Sequence, residues 1–176
     1  MMPRLQFRWS HVQQSLFYGL FLLAGEVCFY PIVRLGKMAP APLRWLFAFE
    51  WTTDPRLGLG HMNEAPFWAL FGQASLWMIP VYGSTAAVVH AAYLALRSRT
   101  SRLVRFFVYA AGIGALEYAW GWILYWLTGY AIWLYVDAWA LGRFTSLAIL
   151  PLWGITGVLL EPLIVSVERH FPTGTA

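Results

Sequence analysis

Charge is what this chain has least of. Only 11% of its 176 residues are Asp, Glu, Lys or Arg, against roughly 25% in a soluble domain. A surface so poor in charge is not one that water solvates, which excludes an ordinary soluble domain and a disordered chain. Cysteine is nearly missing too. The single Cys28 permits no intrachain bridge and excludes a disulfide-built secreted scaffold. Also lacking are a phosphate-cradling Gly-rich loop and a nucleophile elbow. What fills the chain is apolar: 60% hydrophobic residues, with 11 Trp, 9 Tyr and 12 Phe, at a mean hydropathy of +0.57. These features indicate an all-α integral membrane protein, one polytopic domain over residues 1–176.

The net charge of +4 does not mark a nucleic-acid binder. Lys and Arg sit at the ends of apolar runs rather than along one face, as in the loops of membrane proteins. Arg4 and Arg8 precede an apolar stretch in the manner of a signal peptide. That stretch is longer than a signal core and contains Glu26, so it reads as an uncleaved first span.

A transmembrane helix takes about 20 apolar residues. Ser15–Val33 is the first candidate. Ala65–Leu96 carries no Asp, Glu, Lys or Arg in 32 residues, roughly 48 Å of helix, too long for a hydrocarbon core of roughly 30 Å. The second span is therefore expected near Gln73–Leu96, with Ala65–Gly72 in the interface. Leu103–Leu127 and Phe144–Val167 are the third and fourth. Tyr130–Leu141 is short and aromatic, which places it in the interface or in a re-entrant segment; five spans is the alternative count. Four spans put both termini on one side. That side holds seven Lys and Arg against five, including four arginines within Arg97–Arg105. The termini and that short loop are expected in the cytoplasm, across a cell (inner) membrane.

The chain also matches itself. A shift of 91 puts Tyr18 on Tyr109, Ala24 on Ala115 and Glu26 on Glu117. A shift of 88 puts Trp45-Leu46-Phe47 on Trp133-Leu134-Tyr135 and Trp51 on Trp139. A shift of 71 puts Pro80 on Pro151, Gly83 on Gly154, Thr85 on Thr156 and His90 on Glu161. Repeats at about 15–97 and 106–168 with two spans each enter the membrane in the same direction. The expected architecture is four transmembrane helices as two tandem helical hairpins, with pseudo-two-fold symmetry along the membrane normal.

Ionisable groups within spans are the sharpest chemical feature, since an acid at a helix centre costs about 2.5–3.5 kcal/mol on an insertion scale. Here they are Glu26, Glu117, Glu161 and His90, with no Lys or Arg expected deep enough to neutralise them. The glutamates must be protonated, or held by His90, indole N–H groups, Tyr hydroxyls or water. Gly114, Glu117 and Gly121 share one helix face; Pro151, Gly154, Gly157 and Glu161 share another; Pro80, Gly83, Ala87 and His90 a third. Small residues mark helix contacts, so all four polar groups should point into the bundle, and Pro80 and Pro151 should kink their helices. The cluster is either a proton or cation path or polar substrate pocket, or a structural network that holds the helices in register. Trp133 and Tyr135, like most aromatics here, read as interface anchors.

Weaker candidates complete the reading. His61 with Glu64 and Asp54 fits no established zinc spacing. His11 and His170 flank spans and should be solvated. Only His90 offers an intramembrane axial ligand for haem. Neither a cofactor nor a metal is expected.

One stretch resembles a known family. Glu117-x3-Gly121, Gly129, Trp133-x-Tyr135, Gly142, Leu150-Pro151-x-Trp153-Gly154 and Glu161 resemble the transmembrane protein 229 family and the bacterial proteins labelled ABC-transporter type IV, or CmpB-like. The resemblance covers about Tyr109–Glu161. It departs at Leu134, where an acid is expected; Asp137 follows the tyrosine instead, and Arg34–Glu64 lies outside the pattern. It implies a small multi-span membrane protein, with any ATPase as a separate subunit. The expected function is a non-enzymatic, transporter-like or accessory subunit in the lipid bilayer, working in a homo-oligomer or larger membrane complex. The alternatives are a structural or assembly subunit, and an intramembrane lipid-modifying enzyme using Glu117 or Glu161 as acid/base.

Overall fold

The computed structural model describes residues 9–54 and 75–170. It is mostly helical, with α1 (Trp9–Met38), α2 (Met78–Leu96), α3 (Arg102–Thr128) and α4 (Leu150–His170). Among the described residues, α2, α3 and α4 are each long and apolar enough to cross a membrane. Their outer faces are oily: Trp126 is 82% exposed, Leu159 70% and Leu103 66%. Apolar side chains bared on this scale are at home in lipid and an aggregation hazard in water. The chain is a helical membrane protein.

The ends of α3 are set by local chemistry. The Ser101 hydroxyl accepts from the Val104 N–H at 3.3 Å and caps the start. Gly129 stops the helix with φ +73°, a left-handed conformation that suits glycine. Pro80 and Pro151 both stand in the first turns of their helices, α2 and α4. There the missing N–H has no partner within the helix to lose, so neither interrupts its helix as the sequence reading expected. Within α4, Pro162 stands in the helix interior, directly after Glu161.

Helix α1 packs along α2, and α3 along α4; α2 joins the two pairs by touching both α3 and α4. The first pair is closely seated. A side chain at Gly19 would run into the Ile79 carbonyl, and one at Gly83 into the Ser15 carbonyl, which is how small residues let helix backbones approach. In the second pair glycines receive side chains: Gly154 takes the Phe106 ring and Gly157 takes Tyr109. Across the pairs, the Trp120 indole N–H donates to the Ser84 hydroxyl at 2.9 Å. One core cluster, around Tyr18, Val89, Tyr109 and Ile164, lies among all four helices.

At the other end, the described parts of the two connections carry one 3-10 turn and short strands. After a 3-10 turn (Leu43–Phe47) come β1 (Trp51–Thr52), β2 (Leu134–Tyr135), β3 (Ala140–Leu141) and β4 (Thr145–Ser146). Strands β1 and β2 pair antiparallel, with Trp51 opposite Tyr135; β3 and β4 form a hairpin. Gly142 and Arg143 turn that hairpin with φ +55° and +77°. Asp137 ties the segment down. It accepts from the Trp139 N–H at 2.8 Å, the Ser146 hydroxyl at 2.7 Å and the Glu50 N–H at 3.2 Å. A lid thus forms from both connections, residues 49–54 and 130–149, and a second core cluster of Phe49, Leu124, Trp133 and Ile149 lies beneath it.

The span boundaries shift accordingly. The apolar run from Phe144 to Ile149 belongs to the lid and not to α4, because short apolar runs do not distinguish helix from buried strand. The expected upstream end of the second span, residues 73 and 74, and the interfacial stretch 65–72 lie outside the described residues. The aromatic triplets matched at shift 88 differ locally: Trp45-Leu46-Phe47 is a 3-10 turn, whereas Leu134-Tyr135 is a strand.

Candidate functional site

All four helices and the lid wall one cavity of about 630 Å³. Glu26 reaches it from α1, Tyr82 and Thr85 from α2, Glu117 from α3, and Trp153 and Thr156 from α4; Trp51, Trp133 and Tyr135 close it from the lid. Its volume lies within the roughly 300–1,000 Å³ of small-molecule sites. The walls are mainly aromatic and aliphatic. Two acids and no Lys, Arg or His stand among its described lining residues.

Glu117 is held from three directions. The Tyr135 hydroxyl donates to Oε1 at 2.7 Å, while the Thr145 hydroxyl and the Trp153 indole N–H donate to Oε2 at 2.8 and 3.0 Å. The donors come from β2, β4 and α4, so one carboxylate fastens two of the lid strands to the α3–α4 pair. A carboxylate has about four acceptor positions, and three are occupied. Burial and the adjoining Glu117 carboxylate push the Tyr135 hydroxyl well above the usual tyrosine value of 10.0. Trp133 is buried as well, its indole N–H donating to the Phe144 carbonyl at 2.9 Å. Both residues are buried within the lid.

The other two intramembrane groups sit at the opposite end of the bundle. Glu161 meets Arg105 side-on, Oε1 to Nε at 2.6 Å and Oε2 to Nη2 at 3.0 Å, both residues buried. Tyr109 adds a bond to Oε1 at 3.2 Å, and Arg102 stands 3.8 Å from Oε2. The absence of a neutralising cation expected from the sequence is thereby corrected. Arg105 sits in the first turn of α3, close enough to the end to enter from the aqueous side and turn inward. It also donates to the Thr100 carbonyl at 2.8 Å. His90 lies 3.2 Å from the Tyr18 hydroxyl through Nδ1 and 2.9 Å from Glu168 through Nε2. Gln14 reaches the same Glu168 oxygen at 3.4 Å.

The four sequence candidates therefore do not converge on one point. Glu26 and Glu117 share the cavity; Glu161 and His90 anchor two polar clusters beyond its apolar floor of Ala86, Val89, Ile113 and Leu160. Sequence reading missed Glu168, which lies in the last helical turns of α4 and looks like a solvated end residue. It also missed the roles of Tyr18 and Tyr109, although their match at shift 91 was the available signal.

Contacts of similar kind occur in the α1–α2 and α3–α4 pairs. Tyr18 bonds His90 in the first pair, and Tyr109 bonds Glu161 in the second. Ser15 meets Gly83, and Phe106 meets Gly154. His61 and Glu64 lie outside the described residues, and among the described ones no cluster of His, Cys, Asp and Glu could hold a metal ion. Compared with family models, with curated proteins and with solved structures, the chain matches none.

Proposed function

We propose that this protein is a non-enzymatic, transporter-like membrane component that holds a small amphipathic molecule between two related helical hairpins. The observation that carries the reading is the cavity: its walls come from all four helices, and Glu26 and Glu117 both line it. Those acids occupy matching positions of the two repeats, as do the bonded pairs Tyr18–His90 and Tyr109–Glu161. A duplicated helix pair folded face to face accounts for these coincidences. In this reading α1, about 45 Å long at helical rise, is the fourth span. The termini and the arginine-rich α2–α3 turn are cytoplasmic, and the lid faces the other side. The resemblance to the transmembrane protein 229 and CmpB-like proteins implies a small multi-span membrane protein, in keeping with this reading. Any coupling to ATP hydrolysis needs a separate subunit, and the exposed apolar faces leave room for a second copy or a larger complex.

A structural or assembly subunit is the second reading, and the triple hydrogen bonding of Glu117 favours it. Native mass spectrometry of the chain purified in mild detergent separates the two. The transporter-like reading expects a small-molecule adduct on each chain that disappears when Thr156→Trp fills the cavity. A structural subunit expects stoichiometric co-purifying membrane proteins and no adduct.

A further inference from the structure

We infer that the molecule taken into the cavity is a lipophilic organic cation, such as an amine or quaternary onium carried on an apolar body. The inference rests on the reading of the cavity as a ligand site and names the chemistry of its occupant. Three features of the walls converge on it. Glu26 and Glu117 put two carboxylates into the site, and no Lys, Arg or His stands among the described residues that line it. A permanent cation is the charge complement of two such acids in a largely apolar site. The remaining walls carry Trp51, Trp77, Trp133 and Trp153, and indole faces attract a desolvated cation, Trp being the strongest of the aromatic side chains. The floor of Ala86, Val89, Ile113 and Leu160 suits the apolar body. An anion of the same shape would meet carboxylates and ring faces, both repulsive. A strongly hydrated ion such as sodium would give up its water for walls that offer few oxygens.

The two carboxylates are not equivalent. Glu117 already accepts from Tyr135, Thr145 and Trp153, so it holds the lid shut as well as contributing charge. Glu26 stands on α1 and shares none of the three donors that hold Glu117. Glu26→Gln is therefore the variant that removes a cavity charge and leaves those three bonds in place.

The test uses the full chain in lipid nanodiscs, with empty nanodiscs subtracted. Tetraphenylphosphonium, tetraphenylborate and neutral triphenylphosphine oxide are titrated while tryptophan emission and heat are followed. The expected result is saturable binding of the phosphonium, at least tenfold tighter than either other probe. Glu26→Gln should weaken the phosphonium about tenfold and leave the affinity of the neutral probe unchanged, the neutral probe serving as the control for an intact cavity. If all three probes saturate alike, or Glu26→Gln leaves phosphonium affinity unchanged, the cation assignment is overturned and the cavity reading stands. If none of the three saturates, the cation assignment and the cavity reading fail together.

Discussion

Arg105 and Glu161 face each other in a two-point contact, guanidinium fork to carboxylate, with both side chains more than nine-tenths buried. The pair ties the start of α3 to the middle of α4, and Tyr109 completes the shell around the acid. Paired and hydrogen-bonded, such a charge is tolerated; alone, it is not. Arg105→Ala should lower stability by about 3 kcal/mol, the usual cost of stranding one partner of a buried pair. Arg105→Met with Glu161→Met should recover most of it. Thermal melts of the three proteins in one detergent read this directly.

Gly83 sits against the Ser15 carbonyl. Gly83→Ala should push α1 and α2 apart, costing about 1–3 kcal/mol as overpacked sites do. Gly112→Ala serves as the control, since a side chain there meets open space. The two melts should differ clearly. Equal melts would mean that α1 and α2 are not so closely seated.

Glu117 is the fastening of the lid. Glu117→Gln removes the charge that three donors share and turns an amide N–H₂ toward one of them, an expected loss of about 1–3 kcal/mol. Tryptophan emission should move to the red as Trp133 and Trp153 loosen. Limited proteolysis should cut within residues 130–149 sooner than in the wild type.

Tyr135 sets an alkaline limit. Its hydroxyl is raised well above 10.0 by burial and by Glu117. The folded protein therefore keeps this proton where the unfolded chain has lost it. The corresponding stability is fully present below about pH 10 and declines as pH rises above it. Tyr135→Phe should flatten this decline. Melting temperatures between pH 8 and 11.5 for the two proteins check the slope.

Much of the helical architecture was legible because apolar spans leave strong traces. Helical runs with few charges gave α2 and α3 nearly in full, and the match of Glu26 to Glu117 pointed to two residues that share a cavity. The lid was not legible. Residues 144–149 are as apolar as a span, and only the left-handed backbone at Gly142 and Arg143 breaks them away. Periodicity over six residues does not separate a covered strand from a helix turn. The ion pair was hidden for another reason. Arg105 belongs by sequence to a positive loop, and only the turn of α3 decides that its side chain enters the bundle while Arg102, 76% exposed at its side chain, stays out. Glu168 was missed likewise, since closeness to a helix end says nothing of which way the side chain faces.

The central claim is that matched positions of the two helix pairs face one common cavity. Thiol labelling tests it most directly. In a background with Cys28→Ser, Thr85→Cys and Thr156→Cys should both react with a small cationic methanethiosulfonate reagent, and tetraphenylphosphonium should protect both. Leu159→Cys, on the lipid side of α4, should stay unlabelled. Silent cysteines at 85 and 156, or labelling at 159 as fast as at either, would contradict the account.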